Sequence, residues 1–247
     1  MTQLLLNATW LDAGIMTGSG AFKCLEAWNA GPRAAGLQLL LTESSSSWDV
    51  QLPPPAQNSV LHTLFTVAEL GQYAATGVGM VARWALSEGS PFATMALNHS
   101  SGSWDVAADY WLLLAHKRSV GGGVLRAVPA LPPAATGVLA YAHCAAGGGH
   151  NGSVALTAVN TGEAPVALAL NVPPAPRWEY IFTAPGGDLA ATAPLLNGAA
   201  LLRMQEDGSL PDDFVAKYVA EGAVVLPARS SAVLVLLAGG AAACSSA

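Results

Sequence analysis

Charge is scarce in this chain. Asp, Glu, Lys and Arg make up 11% of its 247 residues, less than half the share usual in globular domains. Only ten residues are Lys or Arg and the formal net charge is −6, which argues against a nucleic-acid-binding surface or attraction to an anionic membrane. Long apolar runs are missing too. The longest, Ala232-Val233-Leu234-Val235-Leu236-Leu237-Ala238, falls far short of the roughly 20 residues a membrane-crossing helix needs. Cysteine is rare, with three residues, so this is not a small scaffold stapled by many disulfides. The five histidines are widely spaced, and none stands at metal-ligand spacing from a Cys or carboxylate, so no metal site is expected. Ser44-Ser45-Ser46-Ser47 lacks the Gly-x-Ser-x-Gly elbow of a nucleophilic serine and reads as a loop.

The apolar fraction, 52%, suffices for one large domain or two smaller ones. Much of it is alanine, as in Ala241-Ala242-Ala243, so it overstates the core. The start, Met1-Thr2-Gln3-Leu4-Leu5-Leu6-Asn7, lacks the basic and long apolar regions of a signal peptide. Three N-glycosylation acceptors, at Asn7, Asn98 and Asn151, lean toward a secretory route. One resolution is that the natural protein begins upstream of Met1. The expected location is secreted, extracellular or lysosomal/vacuolar.

Two patterns divide the chain. Residues 1–121 read as βαβα, the mark of a parallel sheet. A loose helical face over 11–28 ends at Gly31-Pro32. A strand over 37–42 follows, its leucines suggesting burial on both faces. Helices are expected after Asn58 to about Tyr73, with Leu61, Leu64, Phe65, Ala68 and Leu70 inward, and at 105–119; a second strand is expected at 77–86. Residues 122–247 carry short apolar runs between Gly, Pro and Asn turns, at 137–142, 153–159, 166–172, 178–182, 199–202, 223–226 and 232–237. That spacing predicts a β-sandwich. A complete eightfold barrel needs roughly 250 residues, so the first part is expected to be the last strand–helix units of a barrel, with its remainder outside this chain.

Glu43 is the first carboxylate after the leucine strand, at the C-terminal end where barrel enzymes build their chemistry. Its bland alternative is a solvated loop residue. Glu26 and Glu69 lie on helices and are expected to face solvent. Glu88, past the second strand, is a weaker acid/base candidate. His116, at the end of the 105–119 helix, suits the helix dipole.

Several segments, taken in order, resemble heparanase-like endo-β-glucuronidases. Gly31-Pro32-Arg33 through Leu41-Thr42-Glu43-Ser44-Ser45-Ser46 is similar to the approach to that family's nucleophile. Asp109-Tyr110-Trp111 through His116-Lys117-Arg118, then Val120-Gly121 and Val124-Leu125, resembles its last barrel helix. Tyr141-Ala142-His143-Cys144, Leu196-Asn197-Gly198, Leu202-Arg203-Met204, Gly208-Ser209-Leu210-Pro211 and Ala242-Ala243-Cys244 match sandwich segments in the same order.

The resemblance implies a fold of α/β plus all-β class: the C-terminal portion of a (β/α)8 TIM barrel followed by a β-sandwich. It implies a retaining glycoside hydrolase acting on glucuronic-acid-containing glycans, with Glu43 as nucleophile and no cofactor. It also implies a disulfide between Cys144 and Cys244, which leaves Cys24 as a thiol. The family's Asn-Glu acid/base pair is absent, so a missing N-terminal barrel half or fragment is the implied partner and this chain alone is expected to be inactive. The family's Arg-Gln stands here as Arg83-Trp84, and its Gly-Asn-Tyr loop aligns with Gly89-Ser90-Pro91-Phe92. Trp84, Gly89 and Phe92 are thus the substrate-binding candidates. The alternative is a catalytically inactive glycan- or protein-binding sandwich with a vestigial barrel piece, on which Trp48 and Trp104 stack on sugars.

Overall fold

A computed structural model of the chain describes residues 27–28, 30–33, 35–44, 58–83, 85–87, 93–100, 102–126, 136–146, 152–170, 175–237 and 241–245. Most of the 11–28 helix therefore lies outside the described residues, as do Asn7, Cys24, Glu26, Trp48, Trp84, Glu88, Gly89, Phe92, His150 and Asn151.

Strand β1 (Leu40–Ser44), helix α1 (Val60–Thr76) and strand β2 (Met80–Arg83) form a β–α–β unit whose two strands pair in parallel. Helix α1 is apolar or buried on nearly every side, which suits a helix enclosed by protein rather than one facing water. It ends at Gly77, whose φ of 88° places it in the left-handed region; its N–H bonds back to the carbonyls of Tyr73 and Ala74. Such a glycine cap satisfies the last carbonyls without the strain a Cβ would bring.

The expected burial of the leucine strand on both faces is not seen. Leu37, Leu40 and Met80 are exposed. The reason is the size of the sheet: among the described residues it has only these two strands, so one face and both edges lack cover.

A hairpin of β3 (Met95–Leu97) and β4 (Trp104–Val106) follows, between the expected second strand and the expected 105–119 helix, where no element is expected from sequence. Its three-residue strands are too short to show a period. Asp105 belongs to it, so α2 (Ala108–Ser119) starts later than the predicted 105.

From α2 the chain passes directly into β5 (Val120–Leu125), followed by β6 (Val138–Ala145), β7 (Val154–Asn160), β8 (Val166–Leu168) and β9 (Arg177–Thr183). Then come β10 (Leu195–Leu196), β11 (Ala200–Leu201), β12 (Lys217–Val219), β13 (Val224–Leu226) and β14 (Ser230–Leu236). Eight strands form one sheet in the order β11-β10-β9-β14-β7-β6-β5, with β12 also on β9. β14 thus lies between β7 and β9 and is antiparallel to both. A small β8–β13 sheet covers the opposite face through Leu168, Val224 and Leu226, packed with Leu156, Ile181, Ala232 and Leu234.

The other face of the large sheet carries both helices. Leu61, Leu64, Phe65, Ala68, Trp111 and Leu112 share one core with Leu139, Val159, Phe182 and Val233. Alternation along β14 explains the two cores: Val233 points to the helices, Ala232 and Leu234 to the small sheet. Complete burial of Leu64, Trp111 and Phe182 contributes about 1.5–3 kcal/mol for each such side chain.

Cys144 on β6 is bonded to Cys244. Gly121-Gly122-Gly123, which reads in sequence as a boundary, lies inside β5. A Cβ on Gly123 would sit 2.8 Å from the Cys144 sulfur, so a side chain there would collide with the disulfide.

Candidate active site at the ends of two parallel strands

β1 and β2 do not pair one to one along their length. Leu41 pairs with Val81 and Ser44 with Arg83: three steps on β1 match two on β2, so β1 carries one extra residue. Such a bulge redirects the side chains beyond it. Here it keeps Leu41 and Ser44 on the helix side, where Leu41 joins the main core and Ser44 is buried. Glu43, next to Ser44 in extended backbone, projects to the opposite side and is exposed. The nucleophile candidate thus stands at the C-terminal end of a parallel strand, facing away from the helices.

A buried polar layer lies behind it. His62, Thr66 and Glu69 follow one another at steps of four and three on α1 and so share a face. The Ser44 hydroxyl donates to Glu69 Oε1. Glu69 is 5% exposed, and burial pushes its pKa up to about 7, against the opposing influence of the Ser44 bond and Arg83. The expectation that Glu69 faces solvent is therefore overturned. Its partner comes from a strand 25 residues earlier in sequence, a pairing that a helix read alone does not reveal.

Arg83, at the end of β2, donates through Nε to Asp109 Oδ2 at 2.8 Å. His62 Nδ1 lies 3.2 Å from the same oxygen, and Thr66 Oγ1 donates to the His62 carbonyl at 2.9 Å. Burial opposes the charge on Asp109; His62 and Arg83 outweigh it and hold the carboxyl below its usual range. Burial lowers the pKa of His62 despite Asp109. The ionic pair is therefore Asp109 with Arg83, and His62 is a neutral donor through Nδ1–H. The i, i+4, i+7 spacing of His62, Thr66 and Glu69 is the sequence signal that marks this face.

The structure brings Glu43 and Arg83 to adjacent strand ends, with Asp109 behind. It places Asn98 exposed in the β3–β4 turn, where its side-chain oxygen accepts from the Ser100 N–H at 3.0 Å. Trp104, 36% exposed, lines an open groove of about 670 Å³ with Asp105, Arg203, Met204 and Glu206. His116 does not act as a cation at its helix end. Burial, with His143 nearby, lowers its pKa to about 4, and its ring centroid lies 6.3 Å from that of His143. Among the described residues, no three His, Cys, Asp or Glu side chains converge as a metal site, and no helix is long and apolar enough to cross a membrane.

No family model matches the sequence, and no curated protein matches it. Solved structures do. A 4-O-α-L-rhamnosyl-β-D-glucuronidase from Fusarium oxysporum is similar over 96% of this chain and 50% of its own, with a TM-score of 0.64 and 12% identity. An α-L-arabinofuranosidase from Thermotoga maritima is similar over 93% of this chain and 49% of its own, with a TM-score of 0.56 and 13% identity. A bifunctional glucanase-xylanase from a metagenome library is similar over 95% and 39%, with a TM-score of 0.53 and 17% identity. At such identities the likeness is one of fold. The chain spans half or less of these glycoside hydrolases.

Proposed function

We propose that this chain is the nucleophile-bearing part of a retaining glycoside hydrolase of the heparanase-like kind, acting on glucuronic-acid-containing glycans. Glu43 is the nucleophile. The observation that carries this reading is its exposed position at the C-terminal end of a parallel strand, turned by the bulge away from the helices. The likeness to glycoside hydrolases, one of them named a glucuronidase, supports it.

Retention of configuration requires a second carboxyl about 5–5.5 Å from the first to protonate the leaving oxygen. Glu69 and Asp109 are buried on the helix side of the strands, so neither serves. Because the heparanase-like Asn-Glu pair is absent from the sequence, the proton donor is assigned to polypeptide outside this chain, which also covers the apolar face of Leu37, Leu40 and Met80. A barrel built of parallel strands has both faces covered. Trp84, Gly89 and Phe92, which follow β2 in sequence, supply sugar contacts. The Cys144–Cys244 bond and the exposed Asn98 acceptor support a secreted, extracellular or lysosomal/vacuolar protein.

A glycoside with an activated leaving group tests the nucleophile without the missing acid. In dinitrophenyl 2-deoxy-2-fluoro-β-D-glucuronide, a Glu43 carboxylate oxygen displaces dinitrophenolate at the anomeric carbon. The leaving group departs with its electron pair and needs no proton, and fluorine slows hydrolysis of the ester. Peptide mass spectrometry should find the adduct on Glu43 and none in Glu43→Gln. Absence of label, both in this chain and in a longer form that supplies the barrel half, favours the sugar- or protein-binding module instead.

A further inference from the structure

We propose that Glu69 is a positioning residue for Glu43, acting through the Ser44 hydroxyl and the bulge in β1; this rests on the nucleophile reading above. The geometry makes the coupling direct. Glu43 and Ser44 are neighbours in extended backbone, so their side chains occupy opposite sides and turn together. Rotation of Ser44 out of the helix interface would swing Glu43 inward. The extra residue between Leu41 and Ser44 relaxes the ladder where Glu43 must be held, so pairing with β2 alone leaves its orientation weakly determined. The bond from Ser44 to Glu69, with both residues buried, supplies the missing constraint from behind.

The surroundings favour an uncharged acceptor. Arg83 from β2 is engaged with Asp109 of α2, and His62 of α1 donates to the same carboxylate. Burial is what favours the neutral form of Glu69; the attraction of Arg83 opposes it and exceeds the repulsion from Asp109. Burial keeps its carboxyl protonated to about neutral pH. Ionisation of Glu69 alters the acceptor behind the bulge, so the reactivity of Glu43 reports it.

The test compares wild type, Ser44→Ala, Glu69→Ala and Glu69→Gln, each first shown to be folded by thermal denaturation. Glu69→Gln retains an acceptor oxygen and removes the titration. Hydrogen exchange read by mass spectrometry on peptides spanning 40–44 should quicken at least tenfold in Ser44→Ala and Glu69→Ala, but not in Glu69→Gln, with β14 peptides unchanged. The rate of Glu43 labelling by the fluoroglucuronide should show an inflection near pH 7 in wild type that Glu69→Gln abolishes, and should fall at least tenfold in Ser44→Ala. Unchanged exchange at 40–44 in both alanine variants overturns the proposal, as does equal labelling of all four forms with a shared pH profile. If wild type takes no label, the nucleophile reading fails and the positioning role falls with it. Exchange then shows only whether the pair fixes the strand end.

Discussion

The ring of Tyr141 on β6 lies against the backbone of Gly71 on α1, so close that a Cβ at Gly71 would come within 2.1 Å of Tyr141 Cδ2. Glycine inside a helix costs about 1 kcal/mol relative to alanine. Here it lets the helix approach the large sheet closely enough to share its core.

Gly71→Ala should therefore destabilise the chain despite its better helix propensity. Overpacking of this kind costs typically 1–3 kcal/mol, or a fall in melting temperature of several degrees for a domain of this size. Pairing it with Tyr141→Ala should recover part of the loss. A melting temperature equal to or above wild type for the single variant would show that the ring moves aside freely.

Asp109→Ala removes the carboxylate that Arg83 and His62 share. Leaving one partner of a buried pair unmatched costs about 3–5 kcal/mol, and urea denaturation should show a loss of that order. Asp109→Asn, which keeps an acceptor oxygen, should lose less. Equal stability of wild type and Asp109→Ala would mean that the layer contributes nothing to folding.

The pH dependence of stability combines opposed effects. The Glu69 pKa is raised by folding, so its contribution is fully present below about pH 4.5 and lost as pH rises to about 7. The loss is on the order of 3 kcal/mol. Glu69→Gln should thus match wild type near pH 4 and exceed it above pH 7. His62, His116 and His143 have lowered pKa values, chiefly through burial. Their contributions are present above pH 6.5 and lost as pH falls. Three histidines oppose one glutamate, so wild type should lose stability on acidification below pH 6.5, and Glu69→Gln should lose it more steeply. Parallel stability–pH curves for the two proteins would refute the assignment.

Reduction of the Cys144–Cys244 bond, or Cys144→Ser with Cys244→Ser, opens a link between residues 100 apart. For a loop of this length the chain-entropy model gives about 5 kcal/mol. Reduced protein should melt well below oxidised protein, while Glu43→Gln, a change at an exposed side chain, should leave stability within about 0.5 kcal/mol.

Sequence reasoning reached the elements whose signals are local. The apolar spacing of Leu61, Leu64, Phe65 and Ala68 located α1, and the β-branched run at 232–237 located β14. Of the short strands, β8, β11 and β13 lie within the apolar runs at 166–172, 199–202 and 223–226, whereas β3, β4, β10 and β12 had no such run. Two-residue β10 and three-residue β12 are held by pairing with β9, which their own few residues do not announce. The triple glycine of β5 looks like a linker until Cys144 is known to pass beside it. At the candidate site, the placement of Glu43 at a strand end was legible because it follows an apolar run. Glu69 was not, because its environment is made by Ser44, Arg83 and Asp109 arriving from three other elements. Periodicity reports which face a residue occupies, not what the tertiary fold sets against that face.

The position of β14 has a consequence for biosynthesis. Among the described residues it is the last strand in chain order, yet it is an inner strand of the large sheet, pairing with β7 and β9 and lending Val233 to the core beneath the helices. A ribosome adding about 5–20 residues per second therefore releases α1, α2 and most of the sheet before the element that joins them exists. Until residue 236 has cleared the exit tunnel, β7 and β9 stand apart with open edges and the helices lack their full floor. A premature stop before β14 leaves those edges without the strand that pairs both, and unpaired strand edges are templates for aggregation.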